Sequence, residues 1–234
     1  MAMNEPRVVM ITGAFGALGT AVARRFRTDG ARLALIGHAR VPDWGTREYP
    51  APHRLIGGID LADPAAARSA VQQTLGSDGP LDVLVNIAGA FRWQKVAGGD
   101  IATWETMFAT NLKTAVVTSQ AAIPHLKSRG AGRIINIGAG AAARGHTGMG
   151  AYAASKAGVE RFSEALADEL KDENINVNTV LPGTIDTPAN RAAMPQADTT
   201  RWVAPDAVAD VIAFLASDAA RAVTGAAIRV FGRG

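Results

Sequence analysis

The chain has 234 residues, 48% of them hydrophobic and 19% charged, with 24 Lys and Arg against 21 Asp and Glu for a net charge of +3. This length and balance specify one globular domain with a sizeable core and exclude a disordered chain. The basic residues are scattered, without a stripe interleaved with aromatics, which argues against nucleic-acid binding. The absence of cysteine excludes disulfides, thiolate metal sites and a Cys nucleophile. The four His, at 38, 53, 125 and 146, lack zinc-ligand spacing, so no metal is expected. The opening residues hold no long apolar run and no stretch could span a bilayer. No leader and no membrane partner are therefore expected, and a cytoplasmic location is.

Short apolar runs alternate with longer helical patterns. Residues 7–12 (RVVMIT) read as a buried strand, 17–29 as a helix stopped by Gly30, and 32–36 (RLALI) as a second strand. Pro42, Pro50 and Pro52 leave no room for a full helix in the segment after it. Residues 53–56 give a third, weaker strand. A helix over 62–75 follows, with Asp63 as N-cap and Pro64 in its first turn. Strands are expected at 81–86, 133–137, 175–181 and 226–230, and helical patterns at 101–129 (one helix or two segments), 150–172 and 205–217. This alternation predicts an α/β fold: a doubly wound parallel sheet flanked by helices, as one domain over 1–234.

The first strand runs directly into TGAFGALG, residues 12–19, and then into a helix. Glycines at 13, 16 and 19 allow a tight turn and close approach to a pyrophosphate, and the helix N-terminus offers N–H groups and a positive dipole end. Farther on, Tyr152 and Lys156 stand four apart, on one face of the 150–172 helix. A phenol has a pKa of about 10, and a neighbouring ammonium is expected to lower it and make proton transfer faster.

With IDL (59–61), NIAG (86–89), TNLK (110–113), YAASK (152–156) and LPGTIDT (181–187) in order along the chain, the sequence resembles the short-chain dehydrogenase/reductase family. The resemblance implies a Rossmann-type sheet of seven strands, NAD(H) or NADP(H) as cofactor, a small-molecule substrate and a homo-oligomer, dimer or tetramer. It implies that Gly13, Phe15, Gly16, Ala17, Leu18 and Gly19 form the phosphate loop, that Asp60 and Leu61 lie by the adenine, and that Asn86, Ala88 and Gly89 run beneath the cofactor. Pro182, Gly183, Ile185 and Thr187 would hold the nicotinamide. Asn111 would kink a helix and sustain a water-linked proton path, Tyr152 would be the general acid in reduction, and Lys156 would bind the nicotinamide ribose.

Two departures stand out. The usual glycine spacing has its second glycine where this chain has Ala17, and Gly16 lies one residue earlier, a change expected to leave cofactor binding intact. Thirteen residues before Tyr152, where the family usually has Ser, stands Ala139. Loss of an oxyanion donor costs on the order of 10²–10³ in rate, so ordinary ketone reduction is expected to be handicapped unless His146 or Thr147 serves. Dihydropteridine reductases resemble this chain here, in GALG, in an Ala at this position, in a GM pair before the Tyr and in the tail DTPANRAAMPQADTTRW (186–202). A quinonoid acceptor develops little alkoxide charge. The expected activity is therefore reduction of a carbonyl or of an activated conjugated or C=N substrate. The alternative is a non-catalytic redox-sensing protein that binds nucleotide. After the second strand, His38 and Arg40 appear with no carboxylate before Asp43, which favours NADP(H) over NAD(H). Phe91, Trp93, Ala139, His146, Met149, Met194 and Trp202 are the expected substrate-pocket residues.

Overall fold

The computed structural model describes residues 6–75 and 80–233. Its centre is one parallel sheet of seven strands: β1 Val8–Thr12, β2 Arg32–Ile36, β3 Arg54–Ile56, β4 Val83–Asn86, β5 Gly132–Ile137, β6 Ile175–Pro182 and β7 Ala227–Val230. The order across the sheet is β3-β2-β1-β4-β5-β6-β7. The chain winds outward from β1 through β2 to β3, then returns to the other side of β1 with β4. The crevice between the C-terminal ends of β1 and β4 is thus the topological switch point, where ligands of such sheets bind.

The inner strands β1, β2 and β4 read as near-continuous apolar runs because both faces of the sheet are covered there, whereas the edge strands β3 and β7 are partly exposed. Successive side chains alternate between two cores. Val9, Ile11, Leu33 and Leu35 pack with Val22 and Phe26 of helix α1 (Ala17–Thr28) and with Val208, Ile212 and Leu215 of α8 (Pro205–Ala216). Val8, Met10, Ala34 and Ile36 pack on the other side. Their partners are Val71 of α3 (Pro64–Leu75), Leu126 of α5 (Thr114–Arg129) and Leu166 of α6 (Gly150–Glu169). Each fully buried aliphatic side chain stabilises the fold by about 1.5–3 kcal/mol, so both helix layers contribute to holding the sheet together.

Several boundaries differ from the sequence expectation. The proline-rich segment after β2 contains a single helical turn, α2 (Gly45–Glu48), between Pro42 and Pro50. The 101–129 pattern is α4 (Ile101–Met107), a π-helical turn at Phe108–Lys113, and α5. Thr106, Thr110, Thr114 and Thr118 each donate a hydroxyl to the carbonyl four residues earlier, at 2.7–2.8 Å. Such back-bonding loosens and bends a helix, and it runs straight through the π turn. The 150–172 helix ends at Glu169, with a 3-10 turn beyond it. A short α7 (Pro188–Ala193) was not expected; Thr187 caps it by accepting from Asn190 N, and Pro188 fills its first position. As expected, Asp63 caps α3, accepting from Ala65 N at 2.9 Å. Among the described residues, no helix is long and apolar enough to cross a membrane.

Candidate active site

β1 delivers Thr12 and the glycine loop to the switch point. Gly13 takes a φ of +63°, and a Cβ there would lie 2.8 Å from Ala88 N, so only glycine lets the β1 and β4 loops meet. The Thr12 hydroxyl accepts from Ile87 N (3.0 Å) and Ala88 N (3.2 Å), tying the two loops together. Gly16, the N-cap of α1, has no side chain to cap the helix, and Gly16 and Ala17 are exposed. The first-turn N–H groups of Ala17 and Leu18 therefore face the crevice side without a capping oxygen, an arrangement that fits a dinucleotide pyrophosphate. Leu18 and Gly19 are buried beneath. Gly19 packs so closely that a Cβ would lie 2.3 Å from Gly13 O.

At the end of β4, Asn86 donates to Ser119 Oγ (3.1 Å) and Asn136 Oδ1 (2.8 Å), and Asn136 donates to Ser163 Oγ (2.8 Å). This buried chain of amides and hydroxyls braces β4 against β5, α5 and α6. Gly89, three residues on, is a point of convergence. A Cβ there would lie 2.6 Å from Asn111 Oδ1 and 3.3 Å from Lys156 Nζ. Three separate motifs of the sequence thus meet at one place.

The π turn aims Asn111 inward, where it is 1% exposed. Its Oδ1 accepts from Ala90 N (2.8 Å), and its Nδ2 donates to Ser155 Oγ (3.0 Å), which in turn donates to Tyr152 O (2.8 Å). Asn111 therefore links the β4 loop to the first turn of α6. Lys156 is buried, and its Nζ donates to Ile137 O at the end of β5 (2.7 Å). Burial pulls its ammonium down from 10.5 to about 8. Tyr152 is half-buried, and the Phe91 ring meets it edge-on at 5.0 Å between centroids.

The expected lowering of the phenol is not what the protein's own groups produce. Burial pushes Tyr152 above its ordinary value, and Lys156 does not counter it. The reason is desolvation: water that would stabilise a phenolate is excluded.

Ala139, two residues past β5 and N-cap of the 3-10 turn that follows, is extended and 6% exposed, so a methyl group stands where the family usually has a hydroxyl. The loop after it is folded back by Met149 N donating to His146 O (3.0 Å), with His146 and Thr147 exposed. Trp93 lies against Gly148, where a Cβ would be 2.1 Å from its ring, and Gln94 N donates to Gly148 O (2.8 Å). The segment after β4 therefore straps the loop before α6, with Phe91 against Tyr152 and Trp93 against Gly148, both rings largely exposed. Trp104 adds a contact that sequence reasoning missed, since a Cβ at Gly150 would meet its ring at 3.4 Å. Met194 is exposed at the end of α7, and Trp202 follows a 3-10 turn. Among the described residues, neither Trp202 nor His146 forms a ring pair with Tyr152.

β6 ends at Pro182, on the same C-terminal edge of the sheet. Gly183 N donates to Val230 O (2.9 Å), Ile185 bridges to Val203, and the Thr187 side chain is used in capping α7. After β2, His38 and Arg40 are exposed. Asp60 is exposed and accepts from Ala62 N (2.9 Å), while Leu61 is buried. No group of His, Asp and Glu among the described residues could hold a metal ion.

A doubly wound sheet with an uncapped glycine loop at its switch point defines a dinucleotide-binding α/β protein. The comparisons narrow this. The short chain dehydrogenase family model matches residues 7–198. The chain is 34% identical to nodulation protein G of Azospirillum brasilense over 238 residues, 97% of each chain. It is 32% identical to the acetoacetyl-CoA reductase of an Acinetobacter strain, over 98% of each. It is 30% identical to the 3-oxoacyl-(acyl-carrier-protein) reductase FabG of Escherichia coli, over 97% of each. A crystal structure of a short-chain dehydrogenase/reductase family oxidoreductase from Burkholderia thailandensis superposes with a TM-score of 0.85 at 31% identity, over 97% of this chain and 92% of that one. The chain belongs to the short-chain dehydrogenase/reductase family of oxidoreductases.

Proposed function

We propose that this protein is an NAD(P)H-dependent reductase in which Tyr152 donates the proton. The observation that carries the reading is the convergence of Asn111, Lys156 and Gly89 beside the first turn of α6, at the switch-point crevice. Bound nicotinamide would supply the hydride. The chain's own part is positioning and proton transfer. The glycine loop and the first turn of α1 hold the pyrophosphate, and Asn86, Ala88 and Gly89 form the floor. Pro182, Gly183, Ile185 and Thr187 line the nicotinamide end. Lys156, protonated below about pH 8, binds the ribose hydroxyls, and the positive charge of the oxidised nicotinamide would steady negative charge on the Tyr152 oxygen as its proton leaves. Asn111 keeps the β4 loop and α6 in register, and so sustains proton supply to Lys156. NADP(H) is the favoured cofactor, because His38 and Arg40 follow β2 without a carboxylate.

Relatives are named for 3-oxoacyl and acetoacetyl thioester reduction. Ala139 argues for a different acceptor here, since a developing alkoxide would find a methyl group just past β5. A conjugated or C=N acceptor, such as a quinonoid dihydropterin, places less charge on oxygen and needs that donor less. Phe91 and Trp93 offer flat apolar walls for it. A second reading, a redox-sensing protein that binds nucleotide without turnover, draws on Ala139 alone, and a pure binder has less need of Tyr152, Lys156 and Asn111 together.

The test is oxidation of NADPH and NADH by the wild-type protein against quinonoid dihydropterin, imines, quinones and simple ketones. Turnover with a conjugated or C=N acceptor above that with ketones supports the reading. Tight nucleotide binding with no oxidation across the panel supports the sensor instead.

A further inference from the structure

Phe15 stands in the glycine loop, yet its ring reaches back to β2. Gly37, the first residue after that strand, is buried, and a Cβ on it would lie 2.1 Å from Phe15 Cδ2 and 2.4 Å from Cε2. The backbone at Gly37 has no slack with which to relieve such a clash. Its N–H donates to Ile56 O (3.0 Å), its carbonyl accepts from Ile59 N (3.1 Å), and the preceding carbonyl, Ile36 O, accepts from Ala14 N (3.0 Å). A side chain at 37 could enter only if the Phe15 ring left. That ring is itself partly buried against the α1 core.

The end of the second strand, some 20 residues beyond the glycine loop, is where a carboxylate reads the ribose 2′-hydroxyl in dinucleotide-binding sheets. We infer that Phe15 and Gly37 act as a pair that sets nucleotide choice: the Phe15 ring fills the room a residue-37 carboxylate would need. The adenosine ribose then meets an aromatic edge with no acceptor for its 2′-hydroxyl. The exposed side chains of His38 and Arg40 follow in that loop. Phe15 bears on specificity only through position 37, as a positioning residue that holds it to glycine. The inference rests on the nucleotide-binding reading above.

The test is a double-mutant cycle on nucleotide affinity, read as dissociation constants for NADH and NADPH from quenching of tryptophan fluorescence, without substrate or turnover. Gly37→Asp alone is expected to weaken both nucleotides with less than a threefold change in their ratio. Phe15→Ala alone is expected to leave the ratio near that of wild type. Phe15→Ala/Gly37→Asp together is expected to shift the ratio toward NADH by about tenfold or more, the effect of one charge-assisted hydrogen bond. If Gly37→Asp alone proves too unstable to assay, the double variant, which makes room for the carboxylate, still decides. An NADH shift in the double variant larger than the sum of the single effects supports the pairing. A full shift from Gly37→Asp alone, or no shift in the double variant, overturns it. A wild-type chain that binds neither nucleotide overturns the nucleotide reading instead.

Discussion

Lys156 makes the account quantitative. Its side chain is 5% exposed, and burial brings its pKa from 10.5 to about 8. At about 1.4 kcal/mol per unit, holding the ammonium in that site costs the fold about 3 kcal/mol while the group is protonated in both states. The sign follows from proton counting. Below pH 8 folded and unfolded chains both carry the proton, and the cost is complete. Between about 8 and 10.5 the folded chain releases it while the unfolded chain keeps it, so this group's contribution to stability rises with pH. Lys156→Met removes the titration and keeps the length of the side chain. It also removes the donor to Ile137 O, an offset that does not depend on pH. Tyr152, whose burial-raised pKa lowers stability above pH 10, is common to both chains and cancels. Urea unfolding of both proteins, followed by tryptophan fluorescence from pH 6.5 to 9.5, is expected to give a stability difference that is flat to about pH 8. From there to pH 9.5 it should move in favour of wild type by about 2 kcal/mol. A difference that stays constant over the whole range would show that Lys156 is not held as a strained ammonium, and would remove the basis for its role.

Three further outcomes follow from the geometry. Asn111→Ala removes the acceptor of the Ala90 N–H and the donor to Ser155 Oγ, whose own proton still goes to Tyr152 O; at about 0.5–1.5 kcal/mol per hydrogen bond lost, urea unfolding should show a loss of about 1–3 kcal/mol, and a loss below about 0.5 kcal/mol would contradict the linking role. Gly19→Ala puts a Cβ 2.3 Å from Gly13 O, whereas at Gly16 the nearest atom is 3.5 Å away. The first should weaken NADPH binding at least about tenfold and lower the unfolding midpoint, while Gly16→Ala should leave stability within about 0.5 kcal/mol. Ala139→Ser restores a donor just past β5 and should raise ketone reduction by on the order of 10²–10³; unchanged ketone turnover would mean that another group already serves the oxygen.

Much of the sheet was legible because parallel strands buried on both faces read as near-continuous apolar runs, as VVMI of β1 and LALI of β2 do. The glycine loop was legible because strand, turn and helix are consecutive in the chain. What escaped depends on contacts across the fold. The strap formed when Trp93 seats on Gly148, and the pairing of Phe15 with Gly37, join residues more than 20 positions apart. Neither glycine announces its neighbour. Helix α7 carried a local signal in Thr187-Pro188, a cap followed by a first-turn proline, but six residues are too few for a 3.6-residue period to show. The threonines at 106, 110, 114 and 118 were also visible. A polar repeat of four marks back-bonding and a distorted helix, the local counterpart of the kink that family resemblance assigned to Asn111.

The central claim is that Tyr152 gives the proton in a nicotinamide-dependent reduction. Its most direct test is the single-turnover rate of NADPH oxidation by wild type and Tyr152→Phe, on the acceptor that the substrate panel identifies and with NADPH affinity measured alongside. The account predicts a fall of about 10²–10⁴-fold with affinity for NADPH within about threefold of wild type. An unchanged rate in Tyr152→Phe would contradict it.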